Sequence, residues 1–345
     1  MTTSLLNPSY SLQLGPQLWK EQALRIELSL NPSPLVDVMT IKLPAAASLQ
    51  ADLDDDVELT LNSGEAEEKV FTGVVQSIRR GFSSIDVKAI NAGSLLSRYF
   101  PAVTYENVTT ATVARNLCSD AGVSTGSLET GSELTFYVAD PTRTAWQHIH
   151  RVCSWSGMLV SISADNEVEA KVVNATQADV ALRFGREIVE LGRTRSAAKI
   201  ETFVVAGESG VGVASSPDVH RPVTDFFTGN RPDPPSPTVT WTWLPALRTT
   251  SAAATAGAAR KRMYTSGADC GVFIAFLQPK LRPGVVLEMQ DLPAGLTDGP
   301  VWIHSVRHVL SPHGALSRVE YCKGGDSFNP LALLGSLAGA VGGLL

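Results

Sequence analysis

Cysteine is scarce in this chain of 345 residues: four in all, with no C-x-x-C pair. Cys118, Cys153, Cys270 and Cys322 are widely spaced, which excludes a disulfide scaffold or a zinc ribbon and reads as four reduced core thiols. Basic clusters are equally scarce. With 28 Lys+Arg against 34 Asp+Glu the formal net charge is −6, and the only dense cluster, Arg260-Lys261-Arg262, follows an Ala-rich run as a solvated helix end would. No nucleic-acid specificity is expected, because counterion release needs clustered cations. Long apolar runs are missing too. The longest, residues 331–345, falls short of the about 20 residues that span a bilayer, so no membrane anchor is expected. The amino terminus lacks the basic and apolar regions of a signal peptide, so synthesis in the cytoplasm is expected.

Catalytic motifs are absent as well. No P-loop, H-E-x-x-H or G-x-S-x-G pattern occurs. The glycines of Gly207-Glu208-Ser209-Gly210-Val211-Gly212 are in the wrong order for a dinucleotide loop, and Ala214-Ser215-Ser216-Pro217 cannot open the helix that would follow. His148 and His150 lie about 200° apart around a helix and cannot share a metal. His304 and His308, four apart on a strand, point the same way beside Trp302 and Val306, with His313 beyond; such a face is expected to be packed rather than to hold zinc. Asp52, Asp54, Asp55 and Asp56 lack the spacing of a calcium loop and read as a solvated strand entry. No catalytic, cofactor or metal-binding residue is assigned.

What the chain does have is alternation. Residues 25–30, 57–61, 69–74 and 84–90 each carry one apolar and one polar face, separated by turn formers such as Asn31-Pro32-Ser33-Pro34 and Asn62-Ser63-Gly64. Residues 1–100 are expected to form a β-barrel. Residues 101–185 should form a small module of two helices and a hairpin. The first helix starts near Thr109 or Thr110 and stops at Gly122; the second has Asp140 as cap, Pro141 at its first position and Gly157 as stop. The hairpin joins 158–163 to 168–173. Residues 186–330 return to strands as a second barrel, interrupted over about 215–268 by a Pro-rich stretch and an Ala-rich helix over 249–264. The fold class is mainly β (α+β): two barrel modules linked by the helical one. The apolar tail, 331–345, repeats Gly335, Gly339 and Gly343 every four residues, with leucines such as Leu331, Leu334 and Leu345 around them. Small residues at this spacing let helix backbones approach closely, so these six residues are the candidate partner contacts.

The order of these parts resembles a family. Asp56-Val57-Glu58-Leu59 and Val70-Phe71-Thr72-Gly73-Val74-Val75, Thr112 to Val123, Asp140 to Met158, and finally Leu281-Arg282-Pro283-Gly284 with Gly299-Pro300-Val301-Trp302 and Val306-Arg307-His308 are similar to stretches of the late-control D, or tail-hub, family of contractile phage tails and injection systems. That family shares its fold with the amino-terminal part of type VI spike proteins. The resemblance implies a structural, non-enzymatic baseplate hub with no cofactor, built into the baseplate of a tail or injection particle. It implies a homotrimer contacting the inner tube protein, the spike protein and other baseplate components, with His308 as a structural histidine. The insertion at about 215–268 and the apolar tail depart from the family pattern, and no spike or lysozyme domain is appended. Two other classes stay open. A cell-wall hydrolase needs paired carboxylates, whose partners can be remote in the chain. A carbohydrate-binding β-protein needs solvent-facing aromatics, for which Trp241 and Trp243 are the candidates.

Overall fold

The computed structural model describes residues 8–207, 238–294, 296 and 299–324. The chain begins with seven strands: β1 (Ser9–Leu14), β2 (Gln17–Trp19), β3 (Arg25–Leu30), β4 (Val38–Pro44), β5 (Asp56–Asn62), β6 (Glu67–Arg80) and β7 (Ser84–Ile90). Their alternation is the cause: in β3, Ile26, Leu28 and Leu30 are buried while Arg25, Glu27 and Ser29 face outward. A short helix α1 (Gly93–Leu96) leads to β8 (Val103–Thr109), α2 (Thr110–Asp120), β9 (Thr125–Leu128), β10 (Glu133–Ala139), α3 (Ala145–Trp155), β11 (Met158–Ile162) and β12 (Val168–Val172). The rest comprises β13 (Val180–Arg183), β14 (Ile188–Arg195), β15 (Thr202–Ala206), β16 (Val239–Trp243), α4 (Thr250–Gly267), β17 (Asp269–Phe276), β18 (Val286–Gln290), β19 (Val301–Ser311) and β20 (Gly314–Lys323). The molecule is mainly β.

Helix starts obey local capping. Thr109 caps α2 by accepting the Thr112 N–H, and Gly122, at φ +72°, takes the left-handed turn that ends it. The second helix begins one turn later than Asp140-Pro141 suggests. Thr144 and Gln147 form a reciprocal capping box that starts α3 at Ala145, and Asp140 instead accepts the Thr142 N–H at 3.0 Å in the turn before it.

Strand pairing contains an internal repeat. The path β3-β4-β7-β6-β5-β1 in the first half recurs as β14-β17-β20-β19-β18-β13 in the second, with the strands in the same chain order. Only the last pair differs, being antiparallel in β1–β5 and parallel in β13–β18. Both long strands carry a one-residue bulge at the same place, Gln76 in β6 and His304 in β19. The bulges lie in matching sequence: Val74-Val75-Gln76-Ser77-Ile78-Arg79-Arg80 against Trp302-Ile303-His304-Ser305-Val306-Arg307-His308. Val74 faces the first residue of β5, as Trp302 faces the first residue of β18.

The halves do not close as separate barrels. Among the described residues they join edge to edge into one 13-stranded sheet, because β3 pairs with β19, from Val306 opposite Leu30 to Leu310 opposite Ile26. The path is open, ending at β2 and β14. One core fills the curl of both halves, with Leu12, Ile41 and Leu59 from the first beside Phe273, Ile303 and Tyr321 from the second. Burial of this apolar surface is the main force holding the halves together, at about 25 cal/mol per Å² removed from water. Gly73 is required where β6 passes β7, since a side chain there would strike the Ile90 carbonyl and the Phe71 ring.

A second core forms around α2 and α3. Val113, Leu117, Trp146, Ile149 and Val152 pack with Tyr137, and Val205 of β15 and Ala252 and Ala256 of α4 join them. The β3–β4 connection holds this module to the sheet: the Ser33 N–H donates to the Val160 carbonyl at 2.8 Å and Trp146 Nε1 donates to the Leu35 carbonyl at 3.1 Å.

Candidate assembly site

The tail residues Leu331, Leu334, Gly335, Gly339, Gly343 and Leu345 lie outside the described residues, as do Gly210 and Gly212. The remaining sequence candidates can be placed. The acidic run is a turn into β5: Asp52 and Asp54 are exposed, the Asp54 N–H donates to the Val75 carbonyl, and the Val75 N–H donates to the Asp55 carbonyl. Among the described residues no group of three His, Cys, Asp or Glu side chains is placed to hold a metal ion.

His148, His150, His304 and His308 each have a local partner, and the expected shared face of His304 and His308 is corrected. The bulge at His304 inserts one residue, so the inward phase of β19 shifts from Val301 and Ile303 to Val306, His308 and Leu310. His304 is turned outward against Trp302, with ring centres 5.7 Å apart. His308 is fully buried. Its Nδ1 lies 2.9 Å from the Ser317 hydroxyl, which also accepts the Gln278 N–H at 2.9 Å. Burial pushes the His308 pKa down to about 4, and the nearby Arg282 charge adds to this. His148 is buried between two groups: its Nε2 donates to the Asp140 carbonyl at 3.0 Å, and its Nδ1 accepts from the Tyr137 hydroxyl at 2.6 Å. His150 Nδ1 meets the Ser33 hydroxyl at 2.9 Å.

The expectation of four reduced thiols is also corrected. Cys118 and Cys153 are buried and free, with burial raising both to about 12. Cys270 and Cys322 are disulfide-bonded. They stand directly opposite each other on β17 and β20, with Cα atoms 4.1 Å apart, a proximity created by register and invisible in their sequence separation of 52.

The structure adds a buried polar knot that the sequence reading missed. Asp37, at the entry to β4, accepts the Asn31 N–H and the Asn91 side-chain amide, each at 2.7 Å. Arg282 faces it electrostatically and donates to the Ile162 carbonyl at 3.1 Å. Burial raises Asp37 to about 7 against both hydrogen bonds and the Arg282 charge. Three parts of the chain thus meet here: the first half of the sheet, the second half and the helical module. Both Asp37 oxygens are taken by hydrogen bonds, so the knot serves as a structural clamp. The only trace in the sequence is a single Asp within an otherwise apolar stretch, Leu35 to Met39.

Among the exposed large apolar side chains three stand out. Phe82, at the tip of the β6–β7 hairpin, has its whole side chain in solvent, and Trp241 and Trp243 stand about half exposed on one face of β16. No helix among the described residues is long and apolar enough to cross a membrane.

No protein-family model matches this sequence, and no curated protein does. Solved structures do match in fold. A 43 kDa tail protein of prophage MuSo2 from Shewanella oneidensis aligns with a TM-score of 0.66 at 14% identity, over 91% of this chain and 98% of that one. A tail protein from Neisseria meningitidis aligns at 0.68 and 14%, over 92% and 96%. An Escherichia coli component of the type VI secretion system, described as structurally similar to the bacteriophage T4 tail proteins gp27 and gp5, aligns at 0.61 and 12%, over 92% and 79%. The fold of this chain is therefore that of phage tail proteins.

Proposed function

We propose that the chain is the structural baseplate hub of a contractile tail or injection system, a homotrimer that adapts a sixfold inner tube to a threefold spike. The observation that carries this reading is the repeated six-strand unit, set in a fold that aligns with tail proteins over nine-tenths of the chain. Two like units per chain give six around a threefold axis, so one face of the ring matches a hexameric tube while the whole keeps the symmetry of a trimeric spike. The work is geometric and calls for no reaction. Light scattering of the purified protein tests it directly, with an expected mass three times that of the chain; a monomer would overturn it. Under this reading residues 331–345, with Leu331, Leu334, Gly335, Gly339, Gly343 and Leu345, dock onto the spike or a neighbouring hub chain. Deleting them is expected to abolish spike binding, and unchanged trimerisation and spike binding would refute the assignment.

One observation favours a second reading, carbohydrate binding: Trp241 and Trp243 are presented side by side toward solvent. Pull-down on cell-wall polysaccharide with the parent and a Trp241→Ala variant tests it, and retention of neither protein eliminates it.

A further inference from the structure

The internal repeat also specifies how one copy of the chain would join the next. Within the chain, β3 of the first half lies on β19 of the second, against the part of β19 beyond its bulge, while β18 occupies the part before it. By the repeat, the counterpart of β3 is β14 and the counterpart of β19 is β6. Among the described residues, β14 bridges Phe184 at Ile188 and otherwise pairs only with β17, so no strand lies on the outer edge of residues 190–195. In β6, β5 reaches only as far as Val74, so, among the described residues, 77–80 are paired with β7 on one side and with no strand on the other. Among the described residues the sheet therefore carries two unmatched edges that are the two halves of a junction it already makes once internally.

We propose that β14 of one copy pairs antiparallel with residues 78–82 of the next copy, repeating the β3–β19 junction between chains. Superposing the repeat through the bulges and the shared β4 and β17 registers sets the pairing: Ile78 opposite Arg195, Arg79 opposite Thr194, Arg80 opposite Arg193 and Phe82 opposite Leu191. This accounts for the outlying exposure of Phe82. Its counterpart in β19 is Leu310, which β3 covers almost completely, whereas Phe82 has no such cover within its own chain. Leu191, the residue it would meet, is the counterpart of Ile26 and lies on the inward face of β14. Arg193, opposite Arg80, already has its charge matched by Asp269, at 2.7 Å from its Nε. An open strand edge is otherwise a liability that proteins blunt, and matched open edges at the two ends of a repeat are satisfied by head-to-tail association.

The inference rests on the oligomeric reading above and names its contact. An Arg79→Cys, Thr194→Cys double variant tests it, since the two positions lie on different edges of one chain and meet only between chains. After mild oxidation a non-reducing gel is expected to show a covalent trimer that reductant returns to monomer. A trimer by light scattering that forms no such bond overturns the strand pairing and leaves the trimer standing. A covalent ladder running past three supports the pairing and overturns threefold closure, and a monomer overturns both. The Phe82→Asp variant supplies an independent check: because the Phe82 side chain is fully exposed, circular dichroism should be unchanged while the trimer dissociates to monomer, and a persisting trimer overturns the proposal.

Discussion

His308 and Asp37 pull stability in opposite directions as pH changes. The buried imidazole, at about 4 in place of its ordinary 6.5, refuses a proton that the unfolded chain accepts, so its contribution is complete above pH 6.5 and is lost as pH falls toward 4. Asp37, raised from 3.8 to about 7, must keep a proton that the unfolded chain releases, so its contribution is complete below pH 3.8 and is lost as pH rises toward 7. Each slope amounts to about 1.4 kcal/mol per pH unit, so between roughly pH 4 and 6.5 they nearly cancel. Across this window the two contributions oppose each other, while His148, His150 and His304, whose pKa values burial also lowers, add to the His308 slope. Urea midpoints should therefore rise more steeply with pH in Asp37→Asn than in the parent, and less steeply in His308→Gln. Gly73 makes a simpler prediction. A Gly73→Ala side chain would meet the Ile90 carbonyl, a backbone atom that cannot swing aside, so a loss of about 1–3 kcal/mol in denaturant titration is expected.

At the level of elements, the capping box of α3 gives a further test: Thr144→Ala should cost about 1 kcal/mol in the same titration, because the Gln147 N–H loses its acceptor. The cysteine assignment is checked by counting thiols, with two expected in the denatured protein, from Cys118 and Cys153, and four after reduction. These elements also mark what a sequence can reveal. Alternation located β3, β5, β6 and β7 because each has one face on the core and one in water, and the chain writes that contrast directly. Glycines at positive φ ended α2 and α3 where expected. The phase of β19 was illegible, since a bulge at His304 is set by pairing with β20 and leaves no residue-level mark. The Cys270–Cys322 bond and the Asp37 knot were hidden for the same reason, both being products of register between distant segments. The repeat was legible in principle, through Gln76-Ser77-Ile78-Arg79 and His304-Ser305-Val306-Arg307, once the two stretches are laid side by side.

For the molecule as a whole, the sheet and its core cross the boundary between the halves, so neither half is independent of the other. Leu28 sits fully buried opposite His308 at that boundary, and Leu28→Ala should cost about 2–5 kcal/mol while both halves still unfold in one transition, followed by near- and far-ultraviolet circular dichroism. The β3–β19 junction also dictates a timetable. Glu27 and Arg307, an ion pair across it, are 280 residues apart. At a translation rate of about 5–20 residues per second, the second edge of β3 waits roughly 14–56 s on the ribosome before β19 exists to cover it. During that interval the nascent first half displays a bare strand edge able to capture another polypeptide, so chaperone shielding or rapid elongation becomes a requirement of its biogenesis, and messages broken before codon 301 should yield only aggregating or degraded product.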